Sequence, residues 1–405
     1  MREFSRLARR VCAALIGVVF FVSGSLKLMD PAGAGLVVAE YFKFFHLGFL
    51  VPISKAVAFL LAFAEAIVGV ALISGILRKA AAWAATGLTA FFTFVTLAIL
   101  IGNPDMDCGC FGEAVHLTHA QTFVKNLVLC ALCAVAFFPL KNLGEPRKRK
   151  YISFALVSAA VLALAIYSLF SLPLVDFTPY KAGAELLSSS DNPSVSGDDW
   201  VSTFIYEKDG KEGEFTLDCL PDSTWTFVRT ETYRRNVPSG DSGQVPLDIT
   251  DADGNYREDI LTDGEVFAVS VPNPSSLRPK DWERISGFLS SVDEAGFKPY
   301  LLVSSSPDAF AGIVGKTSLP EDISSRTFFA DHKALLTFNR SNGGAVWLSE
   351  GMIVRKFTRR NLPGPDKAAR FLGKDPVNVM LNEKTGGRLR FQAYLLYSFA
   401  LLLLL

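Results

Sequence analysis

Charge is scarce in this sequence, and neither sign is in excess. Lysine and arginine together number 40, aspartate and glutamate also number 40, and these residues make up 20% of the 405 positions. Without a basic excess, nucleic-acid binding is not expected as the main function. The chain also lacks a Walker loop, a Rossmann glycine pattern and a hydrolase triad spacing, so nucleotide and hydrolytic chemistry have no support. Six cysteines are too few for a disulfide scaffold, which makes their placement more informative than their number.

Apolar residues make up half of the chain, and long runs without charge are concentrated in its first 172 residues. A membrane-spanning helix needs about 20 apolar residues. Five runs approach that length: residues 11–29, 56–77, 80–101, 121–140 and 151–172. A sixth, shorter run covers residues 391–405. We therefore predict a protein of the lipid bilayer with a four-helix transmembrane bundle (residues 1–140), a basic loop and fifth transmembrane helix (141–175), and a short C-terminal hydrophobic helix (389–405).

Basic residues cluster at three places, and the positive-inside rule puts each cluster in the cytoplasm. The clusters are Arg2, Arg6, Arg9 and Arg10, then Arg78 and Lys79, and then Lys141 with residues 147–150. Residues 30–54 and 102–120 then face outward. In the inner membrane of a bacterium this threading leaves the N-terminus in the cytoplasm and residues 176–388 in the periplasm. The alternative, a cleaved N-terminal signal peptide, fits Lys27 and the later runs less well.

Two cysteines separated by one glycine lie in the second outward segment, where residues 107–112 read DCGCFG. Oxidising compartments favour disulfides, and a disulfide between Cys108 and Cys110 closes a very small ring. Strained or exposed disulfides are the labile and catalytic ones, so these two cysteines are the candidate catalytic residues. Two other interpretations stay open: a permanent structural disulfide, and a metal site completed by His116 and His119, although their spacing matches no structural zinc pattern.

The start of the fourth helix is predicted by Thr118 and Gln121, which have the spacing of a capping box. The positive end of this helix, and Lys125 in its first turns, would favour a thiolate in the neighbouring loop. The acidic residues of the loop oppose one: Asp105, Asp107 and Glu113.

A carboxylate in the middle of a spanning run is expensive, so Glu65 in the second run is a functional candidate by default. Its expected partner is Lys27, or Lys125 with Asn126. The alternative is a structural ion pair that holds the bundle together.

Cys130 and Cys133 lie three residues apart in the fourth run, which places them on one helix face. Thiols in an apolar segment are usually inert packing groups, but a relay role as a secondary redox pair stays open. Cys12 and Cys219 have no cysteine neighbours in sequence and are expected to be structural.

Several of these strings resemble a known family. Residues 21–31 (FVSGSLKLMDP), Glu65 followed by Gly69, and the DCGCFG string are similar to the DoxX-like, MauE-type family of redox-associated membrane proteins. The resemblance covers about residues 6–140. It implies a four-helix bundle with a link to disulfide chemistry or electron transfer outside the cytoplasm. Residues 174–183 resemble the linker of longer members that carry an added outer domain, so the methylamine utilisation role of MauE itself is not transferred.

The region beyond residue 176 has the composition of a soluble domain. Residues 176–245 form a linker and a β-rich segment, with a hairpin predicted around residues 208–211. Residues 246–388 follow an α/β pattern, with strands over 265–271 and 299–304, a helix over 279–294 and a hairpin over 344–357. The order is similar to that of a thioredoxin-like fold. That resemblance implies a CxxC motif after the first strand, but residues 272–278 contain no cysteine, and Asn342-Gly-Gly344 stands where a cis-proline is usual. We therefore expect a degenerate domain that docks a partner.

These observations predict a membrane thiol–disulfide oxidoreductase in which Cys108 and Cys110 exchange electrons with a thiol or disulfide of an extracytoplasmic protein. No cofactor motif is evident, and a membrane quinone is the acceptor suggested by analogy with other disulfide-forming membrane enzymes. The alternative is a non-enzymatic assembly or binding protein in which the two cysteines form a structural clip. A solute transporter using Lys27 and Glu65 ranks last because the chain shows no broken helix or internal repeat.

Overall fold

The computed structural model describes residues 2–104, 106, 108–138, 148–186, 200–208, 211–216, 219–222, 224–234, 247–314 and 325–404. Asp105, Asp107, Lys141 and Arg147, which entered the sequence predictions, lie outside these residues. The chain divides into two compact units. We call the described residues between 2 and 175 and between 388 and 404 the helical unit, and the described residues between 176 and 387 the sheet unit.

The helical unit begins with six helices and a short strand. The helices are α1 (Arg2–Met29), α2 (Pro31–Phe44), α3 (Ser54–Ser74), α4 (Arg78–Gly102), α5 (His119–Phe137) and α6 (Lys148–Phe170); the strand is β1 (Cys110–Glu113). Within the described residues, five segments are long and apolar enough to cross a membrane: Leu7–Met29, Gly48–Ser74, Arg78–Gly102, His119–Phe137 and Arg149–Phe170. Each of the five predicted spans overlaps one of these segments, although the second segment begins at Gly48 and not at residue 56. The chain is a multi-pass membrane protein.

Helix α2 was not predicted, because its residues fall in a segment treated as an outward loop. Residues close together in the sequence stabilise the start of this helix. The Asp30 side chain accepts a hydrogen bond from the Gly33 backbone N–H at 3.0 Å, and Pro31 occupies the first turn. A 3₁₀ helix, Gly48–Ile53, connects it to α3. The Asp30-Pro31 pair is the sequence feature from which the start of α2 could have been predicted.

Helices α1 and α3 pack at very close range because glycine lies at their interface. A Cβ added to Gly24 would lie 2.5 Å from the Ala66 backbone nitrogen. A Cβ added to Gly69 would lie 2.7 Å from the Gly17 carbonyl oxygen. Small residues allow helix backbones to approach in this way inside membranes. The contact fixes how the polar side chains of the two helices face each other.

The sheet unit contains two sheets. The smaller has the order β3-β2-β4, formed by β2 (Trp200–Lys208), β3 (Lys211–Thr216) and β4 (Thr226–Arg234), all antiparallel. The pairing of β2 with β3 confirms the predicted hairpin, whose turn residues 209–210 lie outside the described part of the chain.

The larger sheet has six strands in the order β10-β9-β6-β7-β8-β5. Strands β6 and β7, and β7 and β8, are parallel, and the remaining pairs are antiparallel. The strands are β5 (Ile249–Thr250), β6 (Glu265–Val271), β7 (Lys298–Val303), β8 (Thr327–Ala330), β9 (Gly344–Ser349) and β10 (Met352–Phe357). The helices of this unit are α7 (Pro279–Glu294), α8 (Pro307–Val314), α9 (His332–Phe338) and α10 (Pro365–Leu372). The strand over 265–271, the helix over 279–294 and the hairpin over 344–357 are confirmed.

Both faces of the larger sheet are buried. Alternate residues of β6 supply two different cores: Phe267 and Val269 pack on the side of α7, whereas Val266 and Ala268 pack on the side of α9. The edge strand β10 is covered by the linker, where the Gly183 N–H donates to the Ile353 carbonyl at 2.7 Å. A sheet covered in this way presents few unpaired backbone groups on that side.

The last helix, α11 (Pro376–Leu404), contains nearly all of the predicted C-terminal hydrophobic run. In the helical unit this run packs against other helices. The Tyr394 hydroxyl lies 3.0 Å from the Ser25 hydroxyl of α1, and the Lys150 ammonium of α6 donates to the Leu402 carbonyl at 2.7 Å.

Candidate functional site

The intramembrane carboxylate Glu65 is almost completely buried, at 1% exposure. The Lys27 ammonium lies 2.8 Å from its Oε1 and 3.0 Å from its Oε2, which confirms Lys27 as its partner. The same ammonium lies 5.3 Å from the centre of the Phe92 ring, within the range of a cation–π contact. A buried charge is tolerated when it is paired and hydrogen-bonded, and both conditions hold here.

Ser23 connects this ion pair to the cysteine loop. Its hydroxyl oxygen lies 2.9 Å from Glu65 Oε2 and 2.7 Å from the Cys110 carbonyl oxygen. Ser23 and Lys27 are four residues apart on α1, so one helix face carries both. The glycine-mediated contact with α3 brings Glu65 opposite that face.

The Cys108–Cys110 loop is held at both ends. The Tyr41 hydroxyl of α2 donates a hydrogen bond to the Cys108 carbonyl, and Ser23 of α1 reaches the Cys110 carbonyl. Gly109 between them has a φ of +56°, and a Cβ there would lie 2.5 Å from Val37. This position therefore needs glycine both for its backbone conformation and for space. Cys108 is buried at 6% exposure, whereas Cys110 is partly exposed.

A cavity of about 80 Å³ lies beside this loop. By the usual measure it has room for roughly six water-sized groups. Its walls are mostly apolar, with polar groups from five helices and the loop: Ser23, Lys27, Tyr41, Glu65, Thr89, Thr96, Lys125, Asn126 and residues 108–110. The cavity brings together six of the predicted residues: Lys27, Glu65, Cys108, Cys110, Lys125 and Asn126.

Lys125 and Asn126, the other partners considered for Glu65, make different contacts. The Lys125 ammonium lies 5.0 Å from the centre of the Phe111 ring, next to Cys110. The Asn126 amide donates to the Thr96 hydroxyl at 3.1 Å. The capping box at the start of α5 is confirmed, because the Thr118 and Gln121 side chains accept from each other's backbone N–H groups at 3.1 Å.

The two loop histidines are not among the residues that line the cavity. A ring nitrogen of His119 lies 3.0 Å from the Met106 carbonyl, and His116 is partly buried in the loop. Among the described residues, no group of three or more His, Cys, Asp and Glu side chains is arranged to hold a metal ion.

Cys130 and Cys133 share one face of α5, as their spacing predicts, and both contact helix α4. The Thr93 hydroxyl lies 3.3 Å from the Cys130 sulfur, and the Thr89 hydroxyl lies 3.9 Å from the Cys133 sulfur. Thr89 also lines the cavity, although neither cysteine does. Cys12 packs against an apolar cluster of the helical unit, and Cys219 is exposed. All six cysteines are described, and none is joined in a disulfide.

In the sheet unit, the loop after β6 is fixed by amide and hydroxyl groups. The Asn342 side chain accepts from the Asn273 N–H at 3.1 Å, donates to the Asn273 carbonyl at 2.8 Å and donates to the Ser276 hydroxyl at 2.9 Å. A ring nitrogen of His332 lies 2.7 Å from the Pro272 carbonyl. The loop contains no thiol, so it cannot exchange disulfides.

Sequence reasoning missed Ser23 and Tyr41. Ser23 had a signal, since it lies one helical turn before Lys27 in the string used for the family resemblance. No sequence signal indicated Tyr41, because the segment that forms its helix α2 was interpreted as a loop.

Comparisons with known proteins agree with the resemblance of the N-terminal part. Residues 5–139 match the family described as methylamine utilisation protein MauE, and residues 201–233 match a domain of unknown function, DUF8463. Protein TlpB of Flavobacterium psychrophilum is 23% identical over 230 residues, which are 56% of this chain and 56% of that protein. The chain thus matches little more than half the length of this curated relative. No solved structure matches. Residues 5–139 are therefore similar to a MauE-type family of membrane proteins.

Proposed function

We propose that this protein takes part in thiol–disulfide exchange outside the cytoplasm, and that Cys108 and Cys110 are the exchanging pair. The observation that carries the proposal is their position: the loop of the two cysteines forms one wall of a cavity whose other walls hold the buried Lys27–Glu65 pair. A structural clip between helices needs no such cavity. The proposed orientation, with this loop on the outer side of the bacterial inner membrane, follows from the distribution of basic residues.

The difference in burial assigns the two sulfurs different roles. Cys110 is the more accessible, so its thiolate attacks the partner's disulfide, and one new S–S bond forms as the partner's bond breaks. The thiolate of Cys108 then attacks the Cys110 sulfur of this mixed disulfide, a Cys108–Cys110 disulfide forms, and the partner leaves as a dithiol. Two electrons and two protons pass to the partner in this direction. In the reverse direction the Cys108–Cys110 disulfide oxidises the partner's dithiol, and the pair is left reduced. The nearby Lys125 ammonium favours the negative charge of the attacking sulfur.

In the direction in which the partner is oxidised, the reduced pair needs an electron acceptor. The single-ring head group of a quinone suits a cavity whose walls are mostly apolar with a few convergent polar groups. Lys27, Lys125 and Asn126 supply N–H donors that would hold the carbonyl oxygens of such a ring. A bound quinone would supply a two-electron acceptor. The residues of the chain orient it and limit the access of water.

The sheet unit fits the role of a docking module with a thioredoxin-like fold. Four of its strands, in the order β7-β6-β9-β10, have the directions of the thioredoxin core, with α7 between β6 and β7 and α10 after β10. The hydrogen bonds of Asn342 rigidify the loop where an active thioredoxin carries its cysteines. A rigid loop without thiols is suited to binding a partner rather than to reacting with it.

The test is thiol trapping in cells with the single variants Cys108→Ser and Cys110→Ser. Cultures are quenched with acid, alkylated with a bulky maleimide and separated on a gel. We expect the wild-type pair to shift between oxidised and reduced forms with growth conditions. We also expect a mixed disulfide to accumulate in Cys108→Ser, because the resolving thiol is lost while the attacking thiol remains.

Cys219→Ser is the matched control, since it removes an exposed thiol outside the loop. It should leave the redox shift unchanged. A wild-type pair that stays oxidised under every condition, with no mixed disulfide in either variant, would contradict the proposal. The protein would then be a membrane-anchored assembly or binding protein with a structural disulfide.

A further inference from the structure

The Ser23 hydroxyl has one proton and two acceptors that compete for it. The Cys110 carbonyl oxygen lies 2.7 Å away and Glu65 Oε2 lies 2.9 Å away. A hydroxyl donates one hydrogen bond and accepts through its lone pairs, so it cannot serve both oxygens fully at once. Ser23 is itself buried, at 7% exposure, which makes an unmade hydrogen bond costly.

The protonation state of Glu65 determines which of the two oxygens accepts the hydrogen bond from the Ser23 hydroxyl. An ionised carboxylate is the stronger acceptor and draws the hydroxyl proton away from the cysteine loop. A protonated carboxyl group can donate to the Ser23 oxygen, and the hydroxyl proton then points to the Cys110 carbonyl. Two hydrogen-bond patterns are therefore available to the same three groups.

We propose that Ser23 couples Glu65 to the cysteine loop, so that a proton on Glu65 holds Cys110 in place and its loss releases Cys110 for reaction. Ser23 and Glu65 are positioning residues in this scheme, because they act on the backbone of Cys110 and not on its sulfur. The inference rests on the proposed function only in taking Cys110 as the reactive thiol. It adds a proton-linked control to that site.

Several other ionisable groups face Glu65 across the cavity. From α1, α2, α5 and the loop these are Lys27, Tyr41, Lys125, Cys108 and Cys110. The residues that α4 contributes are uncharged: Thr89, Phe92, Val95 and Thr96. Among the described residues that line the cavity, Glu65 is the one carboxyl group, so substitution of Glu65 tests its part in any change of rate with pH.

The test measures how fast Cys110 reacts with a small disulfide, dithiodipyridine, in the full-length protein in lipid nanodiscs. Peptide mass spectrometry reads the labelling of Cys110 and of the exposed Cys219, which is the internal reference. The pH is varied from the range in which carboxyl groups titrate to about pH 8. We expect the Cys110 to Cys219 rate ratio to rise about three- to tenfold, the range set by the net value of one hydrogen bond.

The variants should remove this rise in opposite ways. In Glu65→Gln the amide can donate to Ser23 as a protonated carboxyl does, so the ratio should stay at the low level at every pH. In Ser23→Ala the loop has lost its tether, so the ratio should stay at the high level. Ser23→Thr keeps the hydroxyl and should restore the rise.

Ser25→Ala is the matched control, because Ser25 is also buried on α1 but contacts the Tyr394 hydroxyl instead. It should behave as the wild type. A wild-type ratio that does not change with pH, or a rise that persists in Ser23→Ala, would overturn the inference. Ser23→Ala leaves both charged partners of the ion pair in place. Its rate ratio therefore tests the inference even if Glu65→Gln does not fold. Since the reagent is a small molecule, these results do not depend on whether a protein partner exists.

Discussion

At the scale of single residues, the arrangement around Glu65 is dominated by the cost of a buried charge. The carboxylate is held by the Lys27 ammonium and approached by the Ser23 hydroxyl, between helices that also contribute to an apolar cluster. Removing one partner of such a pair leaves an uncompensated charge, whereas removing both can be nearly neutral. This asymmetry separates the structural contribution of the pair from its functional one.

We expect Lys27→Met to lower the free energy of unfolding by about 3 kcal/mol or more, because it leaves Glu65 buried without a counter-charge. The double variant Lys27→Met with Glu65→Leu should recover most of that loss. Chemical denaturation in detergent micelles measures both. Lys125→Met is the control: its contact with the Phe111 ring is worth about 1 kcal/mol or less. A double variant as unstable as the single one would show that the pair contributes more than charge compensation.

At the scale of elements, glycine determines which helix faces meet. Gly17, Gly24 and Gly69 let α1 and α3 approach backbone to backbone, and this contact sets the rotation of both helices. Lys27 and Glu65 lie on the facing sides for that reason. A wider separation would move the ammonium and the carboxylate out of hydrogen-bonding range.

We expect Gly69→Ala to destabilise the protein by about 1–3 kcal/mol, because the new methyl group would meet the backbone of α1. Gly87→Ala is the matched control in α4, where an added Cβ has open space around it. It should be neutral or slightly stabilising, since alanine is the better helix former. Thermal unfolding in detergent compares the two, and equal losses of stability would contradict the close contact.

At the scale of the whole molecule, the two units use charge differently. The helical unit buries the Lys27–Glu65 pair inside its bundle, whereas the sheet unit uses an ion pair to hold its linker. Burial raises the pKa of Asp176, but the Lys356 ammonium and hydrogen bonds from Lys356 and Thr178 outweigh this and leave its pKa below the ordinary value of 3.8. The Lys356 ammonium lies 2.7 Å from the Asp176 carboxylate.

This pair predicts how the sheet unit responds to acid. Because the folded carboxyl group binds its proton less tightly than the unfolded one, its stabilisation is complete above about pH 4 and is lost as the pH falls through the lowered folded value. Lys356→Met should destabilise the unit at neutral pH and flatten this loss. Tryptophan fluorescence reports the unfolding, since four of the five tryptophans lie in this unit.

Lys298→Met is the control for that prediction, because the Lys298–Asp263 pair is exposed and screened by water. It should leave both the stability and its pH dependence almost unchanged. If Lys356→Met behaved in the same way, the linker would not depend on its ion pair.

Much of the fold was predictable from local patterns. Apolar length determined the five spans, spacing determined the capping box of α5, and short apolar runs bounded by turn residues indicated the strands around Val269 and Val346. These features depend on neighbours along the chain, so the sequence by itself was sufficient. The sequence also limited the interpretation of Cys108 and Cys110 to three alternatives: a redox-active pair, a structural disulfide or part of a metal site.

The tertiary structure decided which of these residues meet. Lys27 and Lys125 were both possible partners for Glu65, and only the rotation of α1 against α3 selects Lys27. The approach of the cysteine loop to Ser23 and Tyr41 depends on contacts between segments far apart in the chain. Such contacts follow from packing and not from periodicity, so the cavity and the hydroxyl shared between Glu65 and Cys110 appear only once the helices are assembled.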